Sequence, residues 1–466
     1  MKKTLLFVTL CASFFGLEAQ AQEPYTLQVY DNAIYYGMYE DVVTTPVPEG
    51  AQRNTNSSYG KKLTEDQIAL IGNKLTINVI AEALCDDYDR IGNVNLALVP
   101  KGQPSYTYNQ VRRIEVGRFI TPFMNNITKT PTQVPYTFEV DNITGILHDP
   151  VLAAEYDFWI ELEIYGYQGA PNANTGGAQW DFLASGLCAG RNDVYKGSLE
   201  LVSEFDESLP EAGNLYFKEL SYKFELKDYV QATETNFMGQ GTDIINETTR
   251  SIDFTLDAPV TNAKFYVVTS NHGSNSGGEE YIRRWHYVYI DGVQKLSYRP
   301  GGNCEPYRQY NTMPNGIYGP VPRTPLEWSL FSNWCPGAKI PIRTANLGDL
   351  SAGEHTFKID VPEAEFVNDQ GYFPMSVYVQ GTAGTAGTEG FNKLSFNMSP
   401  NPTKDVVTIT ANGNEVRAFT VTNTLGQTVL TGKGTTINMG NLQNGIYMVK
   451  ADFANGQQAT KKIVKE

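Results

Sequence analysis

The residues that decide the fold run from Leu75-Thr76-Ile77-Asn78-Val79-Ile80, through Cys85-Asp86-Asp87-Tyr88-Asp89-Arg90, to Val94-Asn95-Leu96-Ala97-Leu98-Val99. Apolar and polar residues alternate on both sides of a charged centre. A period of two reads as β-strand, so the stretch predicts two strands with a turn between them. The turn gathers three carboxylates and one guanidinium. Working side chains are often carried on turns of a rigid sheet. The plainer reading of such a turn is a solvated acidic surface.

The same texture continues on both sides. Tyr25 to Tyr30 is a strand candidate, and residues 63–202 are short alternating runs with turn residues between them. In Phe158 to Tyr165, Phe158, Ile160, Leu162 and Ile164 share one face. Residues 168–190 form a long loop with Asn172-Ala173-Asn174-Thr175-Gly176-Gly177 at its tip, a length often associated with function. Further on, Phe265 to Thr269 is a strand. His286-Tyr287-Val288-Tyr289-Ile290 runs into Asp291-Gly292, a hairpin signal.

A chain of 466 residues is too long for one core, so two or three domains are expected. Aromatic residues make up 12%, with 42 Gly and 24 Pro, which suits many short strands and turns. A net charge of −15 argues against nucleic acid or an anionic membrane as partner. Lys2 and Lys3, the apolar run Leu5 to Leu17 and Ala19-Gln20-Ala21 read as a signal peptide over residues 1–21. Beyond it lie Cys85, Cys188, Cys304 and Cys335. An even number in an exported chain suggests two disulfides. Of the three connectivities, Cys85–Cys188 with Cys304–Cys335 keeps each bridge inside one proposed domain.

The domains are placed at 22–204 and 211–382. A small-residue linker follows at 383–390, then a β-rich unit at 391–466. Between Cys304 and Cys335 lie Tyr307, Tyr310, Tyr318, Trp328, Phe331 and Trp334. Aromatic faces suit the C–H faces of sugar rings, although most such rings pack into cores.

No phosphate loop, His-Glu-x-x-His helix or serine elbow is present. His148, His272, His286 and His355 are isolated, and none has the spacing of metal ligands. No metal or cofactor is implied. His272, in the polar Asn271-His272-Gly273-Ser274, is the one placed to line a site. Carboxylates remain, in the turn at 85–90 and in Gly277-Gly278-Glu279-Glu280-Tyr281-Ile282-Arg283-Arg284-Trp285-His286.

Both stretches resemble the peptide-N-glycosidase F family over residues 24–382. Cys85 to Arg90 is similar to that family's Cys-Asp-Glu-Trp-Asp-Arg. The run Glu115-Val116-Gly117-Arg118-Phe119-Ile120-Thr121-Pro122 is nearly the family's own. Glu280 with Arg284 and His286, and Trp334-Cys335-Pro336-Gly337, follow in the family's order. The resemblance implies two eight-stranded antiparallel jelly-roll sandwiches side by side, with the site at their interface. It implies a cofactor-free amidase that cleaves between asparagine and the first N-acetylglucosamine of an N-glycan on glycoproteins or glycopeptides. Asp89 would be the primary catalytic carboxylate, Glu280 the second, and Arg90 the electrostatic partner.

Such chemistry needs water deprotonated at a poor electrophile and a proton for the departing amine. Two carboxylates with separated pKa values can supply both. His272, Arg284, Trp334, Tyr167 and Asp181 are candidate substrate contacts. Tyr167 stands near where the family carries a further Glu, and Asp181 in the longer loop is a candidate substitute. Gly278 and Ile282 replace two family cysteines, and Phe331 replaces a family Arg. The alternatives are a surface glycan-binding protein that has lost the reaction and, more distantly, a copper monooxygenase of the same fold.

At the C-terminus, Ser399-Pro400-Asn401-Pro402, Leu425-Gly426-Gln427, Asn444-Gly445-Ile446-Tyr447-Met448-Val449 and Lys461-Lys462-Ile463-Val464-Lys465 resemble the type IX secretion sorting domain of Bacteroidetes. The resemblance implies a third, small β-sandwich and the type IX machinery as partner. It also implies export through the periplasm and outer membrane, to the cell surface or medium. The chain is expected to act as a monomer.

Overall fold

The computed structural model describes residues 24–86, 88–124, 130–167, 188, 190–209, 214–233, 237–273, 279–312, 323–384, 396–411, 415–424, 426–454 and 458–466. The expected signal peptide, Asp87, Asp181, the tip of the loop at 168–190, Gly278, Tyr318, Leu425 and most of the linker lie outside the described residues. The chain divides into two compact units, Met1–Gly384 and Thr385–Glu466.

The first unit holds two β-sandwiches. One sheet of the first sandwich runs β1 (Tyr25–Tyr36), β9 (Asp193–Glu204), β4 (Lys74–Ala83) and β7 (Gln133–Glu139). The facing sheet runs β6 (Arg112–Ile120), β5 (Ile91–Pro100), β8 (Tyr156–Ile164), β3 (Ser58–Lys62) and β2 (Ala51–Thr55). The second sandwich pairs two further sheets. One is β11 (Gln240–Thr242), β10 (Leu215–Gln231), β19 (Phe373–Ala383), β13 (Val260–Thr269) and β17 (Arg343–Leu350). The other is β12 (Thr249–Leu256), β18 (Gly353–Asp360), β14 (His286–Ile290) and β15 (Val293–Tyr298). Among the described strands of these two sandwiches only the short β10–β11 pairing is parallel. Among the described residues each sandwich has nine strands of its own chain segment, where the resemblance implied eight.

The alternating pattern places the cores. Leu75, Ile77 and Val79 of β4 meet Phe158, Ile160, Leu162 and Ile164 of β8 in the first core. Ile80 belongs to the same apolar run, but it falls on the other parity and is 41% exposed. Phe265, Val267, Phe357, Ile359, Phe373 and Met375 anchor the second core. Asp291 (φ 50°) and Gly292 (φ 76°) both take the left-handed conformation of a two-residue hairpin turn, and β14 pairs with β15 across it.

A strap joins the sandwiches. Trp328, Phe331, Trp334 and the Cys304–Cys335 disulfide form a separate cluster with Ile120 of the first sandwich and Val268 of the second. Beyond it, β16 (Lys339–Ile340) adds to the edge of β6, pairing with Phe119 and Arg118. In the chain-entropy model a bridge closing 31 residues stabilises by about 3–4 kcal/mol.

The second unit is a small sandwich. Its sheets run β20 (Phe396–Ser399), β21 (Val406–Ala411), β24 (Thr436–Asn438), and β23 (Thr428–Lys433), β22 (Val416–Asn423), β25 (Gly445–Phe453), β26 (Gln458–Lys465). Val407, Ile409, Phe419, Val421, Ile437, Val449 and Ile463 fill it.

Candidate active site

The segment after β4 does not fold back on its own sheet. The Leu84 and Cys85 N–H groups still donate to Val194 O (2.8 Å) and Asp193 O (3.1 Å), prolonging the β4–β9 pairing. Arg90 N–H then donates to Thr121 Oγ1 (2.6 Å) and Thr121 N–H to Arg90 O (2.8 Å), which opens the β5–β6 pairing. The acidic turn is therefore a crossover between the two sheets at the rim of the sandwich, not a hairpin within one. The Cys85–Cys188 disulfide ties down its start.

Within the crossover Asp86 is fully buried. Its Oδ2 accepts from Arg90 Nε (2.7 Å) and Tyr167 N–H (2.8 Å). Its Oδ1 accepts from Tyr88 N–H (3.0 Å) and Arg90 Nη2 (3.3 Å). The guanidinium of Arg90 also lies over the rings of Tyr167 (4.1 Å) and Tyr88 (4.9 Å). Asp89, next to it in the chain, has a buried Oδ2 without a hydrogen-bond partner among the described residues.

Glu280 comes from the second sandwich, on the 3-10 turn Glu279–Tyr281 between β13 and β14. Its carbonyl accepts from Ser332 Oγ (2.7 Å) and Asn333 Nδ2, both on the strap. Asn271 Nδ2 donates to Glu279 O (3.1 Å) and Ile282 O (3.3 Å), and Asn333 Oδ1 accepts from Asn271 N–H (3.1 Å). The buried Glu279 carboxylate receives Arg284 Nη2 (2.8 Å) and Glu365 N–H (2.6 Å). The turn that carries Glu280 is thus held from both ends.

One cavity of about 1230 Å³ opens where the two sandwiches meet. Asp89, Arg90, Tyr88, Tyr167, Tyr108 and Arg118 line it from the first. Glu280, Tyr281, His272, Lys223, Phe331 and Tyr372 line it from the second. Burial raises the proton affinity of the Asp89 carboxyl well above the ordinary carboxylate range. The charge of Glu280 raises it further, and Arg90 opposes both. His272 is pushed down to about 3 by burial and by Arg118, so its ring is neutral near pH 7. Its Nε2 lies 2.6 Å from Ser270 Oγ.

Of the residues singled out in the sequence, Asp89, Arg90, Glu280, His272 and Tyr167 therefore reach one cavity. Arg284 does not line it; its guanidinium neutralises Glu279 behind the turn. Trp334 does not line it either; it packs in the strap and donates Nε1–H to Asn271 O (2.9 Å). Each of the two serves the backbone that carries Glu280.

Sequence reasoning missed the polar wall between the sandwiches. Asn93, Asn95, Arg113, Glu115, Arg118, Glu161 and Glu163 stand on β5, β6 and β8 and are all buried. Arg118 grips Glu115 through two bonds of 2.7 Å and reaches across to Ser270 Oγ (2.9 Å) and Pro374 O (2.7 Å). Glu163 pairs with Lys223 across the junction. Their strand parity was visible, but parity does not say whether the outer face meets water or a second sandwich. Among the described residues no three His, Cys, Asp or Glu side chains are grouped to hold a metal ion, so the copper alternative finds no ligand set there.

The fold and cavity define a β-protein of two sandwiches with an acid pair in the cleft between them. Residues 26–171 match the model of the N-terminal domain of peptide-N-glycosidase F, and residues 242–380 that of its C-terminal domain. Together they take in more than half of the chain, which belongs to the peptide-N-glycosidase F family. Residues 397–466 match the secretion system C-terminal sorting domain. That domain marks the protein for type IX export to the cell surface or beyond it.

Among solved structures, PNGF-II is 19% identical with a TM-score of 0.54; the match covers 78% of this chain and 66% of that one. The chain thus spans slightly less than two thirds of PNGF-II, and the likeness is one of fold. PNGase F, a glycosylasparaginase from Flavobacterium meningosepticum, is 12% identical with a TM-score of 0.46 over 78% of this chain and 96% of that one. No curated protein matches the chain.

Proposed function

We propose that the protein hydrolyses the amide between an asparagine side chain and the first N-acetylglucosamine of N-glycans on glycoproteins or glycopeptides. The observation that carries this reading is that Asp89 and Glu280, from different sandwiches, line one cavity, where the charge of Glu280 adds to burial in raising the hold of Asp89 on its proton. Two coupled carboxyls share their titration, so the pair keeps one proton over a pH range where an isolated carboxyl is ionised. The ionised member takes a proton from water as its oxygen bonds to the amide carbon. The protonated member gives its proton to the nitrogen as the C–N bond breaks. Asparagine becomes aspartate, and the glycan leaves as a glycosylamine. Arg90 supplies positive potential for the oxyanion between these steps. The rings of Tyr88, Tyr167, Tyr281 and Tyr372 offer faces to apolar sides of the sugars.

The test is incubation with a defined N-glycopeptide followed by mass spectrometry of the peptide. Conversion of the glycosylated asparagine to aspartate is the expected result. A peptide retaining one N-acetylglucosamine means attack at the sugar carbon instead. An unaltered but bound glycopeptide means a glycan-binding protein, a reading that Tyr167 in place of a family Glu favours.

A further inference from the structure

We propose that Asp86 is a positioning residue that withholds the Arg90 guanidinium from Asp89. Two aspartates three positions apart in one turn compete for a single adjacent cation. The geometry gives the cation to Asp86, which takes Arg90 Nε at 2.7 Å and Nη2 at 3.3 Å. Backbone N–H groups of Tyr88 and Tyr167 fill the remaining sites, so one fully buried carboxylate accepts four hydrogen bonds. The rings of Tyr88 and Tyr167 then hold the guanidinium plane in place. Among the described residues Asp89 Oδ2, by contrast, is buried with no hydrogen-bond partner, although it belongs to the residue next to Arg90.

A carboxylate paired directly with arginine loses its proton early; one denied the pair keeps it. Groups of both sandwiches face Asp89. Asp86, Tyr88 and Arg90 come from its own turn, and Glu280 and Tyr281 from the second sandwich. Arg118, Arg323 and His272 lie further round the cavity wall. Of these, Arg90 is the cation that lowers the proton affinity of Asp89, and Asp86 both binds that cation and adds a smaller raising effect of its own charge. Asp86 therefore sets how much of that charge Asp89 feels. It also fixes the backbone of Tyr167, so the same residue ties the proton balance of the pair to one wall of the cavity.

The kinetic arm of the test rests on the amidase reading; the spectroscopic arm does not. The full chain is prepared as wild type, Asp86→Asn, Arg90→Gln and the charge-balanced double variant, with Asp89→Asn as the assignment control. Isotope-edited infrared spectroscopy of 13C-aspartate follows the protonated carboxyl of Asp89 against pH. In Asp86→Asn the freed guanidinium is expected to move this titration down by roughly one unit or more. The alkaline limb of kcat/KM for glycopeptide deglycosylation is expected to move with it. In the double variant, with both charges gone, the titration is expected to return close to that of wild type.

A purely structural Asp86 would lower kcat without moving either curve, and that result overturns the proposal. So does a double variant that titrates well above wild type, because the charge of Arg90 would then be reaching Asp89 without being offset by Asp86. The double variant decides the matter even where Asp86→Asn alone does not fold. Absence of turnover in wild type, with the infrared shift intact, removes the amidase reading and leaves the role of Asp86 standing.

Discussion

Asp89 and Glu280 are held by opposite means. Asp89 sits on a crossover whose own polar groups are spent on Asp86 and Arg90, and its carboxyl is left in a poorly solvated spot. Glu280 sits on a turn whose backbone is clamped by Asn271, Ser332 and Asn333. The first arrangement has a thermodynamic consequence. Above the ordinary aspartate value of 3.8, the unfolded chain gives up the Asp89 proton while the folded chain keeps it. The folded state then binds more protons, so stability falls as pH rises from that value to the raised one. Asp89→Asn removes this penalty. The variant is expected to lose deglycosylation, yet to melt at or above the wild-type temperature at pH 7–8. The difference should vanish below about pH 4. Thermal melts across pH together with the glycopeptide assay check it, and a lower melting temperature at pH 8 would contradict it.

At the scale of elements, β5, β6 and β8 do two jobs with opposite faces. Their apolar faces build the first core, and their polar faces build the wall against the second sandwich. A period of two was readable in Phe158, Ile160, Leu162 and Ile164, and those residues are in the core. Glu161 and Glu163, between them, look like a solvent face in the sequence. Glu163 is buried because β10 supplies Lys223 and Tyr222 to meet it, and Glu161 is buried against Arg113 and Tyr106. For the same reason Arg118 stood inside a quoted motif without a role. Its substitution by Met is expected to leave Glu115 buried without its cation. The cost should be about 3–5 kcal/mol, read by urea denaturation. Changing Glu115 to Gln as well should recover part of that loss.

Over the whole molecule, each of the two compact units buries its own core. A chain ending at Gly384 is therefore expected to fold, and to keep the wild-type specific activity and melting transition of the first unit. In cells, the same truncated chain is expected to remain behind the outer membrane, since it lacks the sorting domain. Calorimetry and fractionation of the expressing cells measure both, and a truncated chain recovered from the medium would count against the export role.

The amino-acid order alone determined the strands, the turn chemistry at Asp291-Gly292, and the sorting unit. It determined which residues carry charge in the turn at 85–90. These are local properties, because alternation and turn residues act on neighbours a few positions apart. Tertiary structure decided the rest. It turned the acidic turn into a crossover, sent Ile80 to the surface, set Arg284 and Trp334 behind Glu280, and brought Glu280 to the cavity of Asp89. Such outcomes depend on which surface covers which strand face. Burial by a distant segment leaves no periodic trace in the strand that it covers.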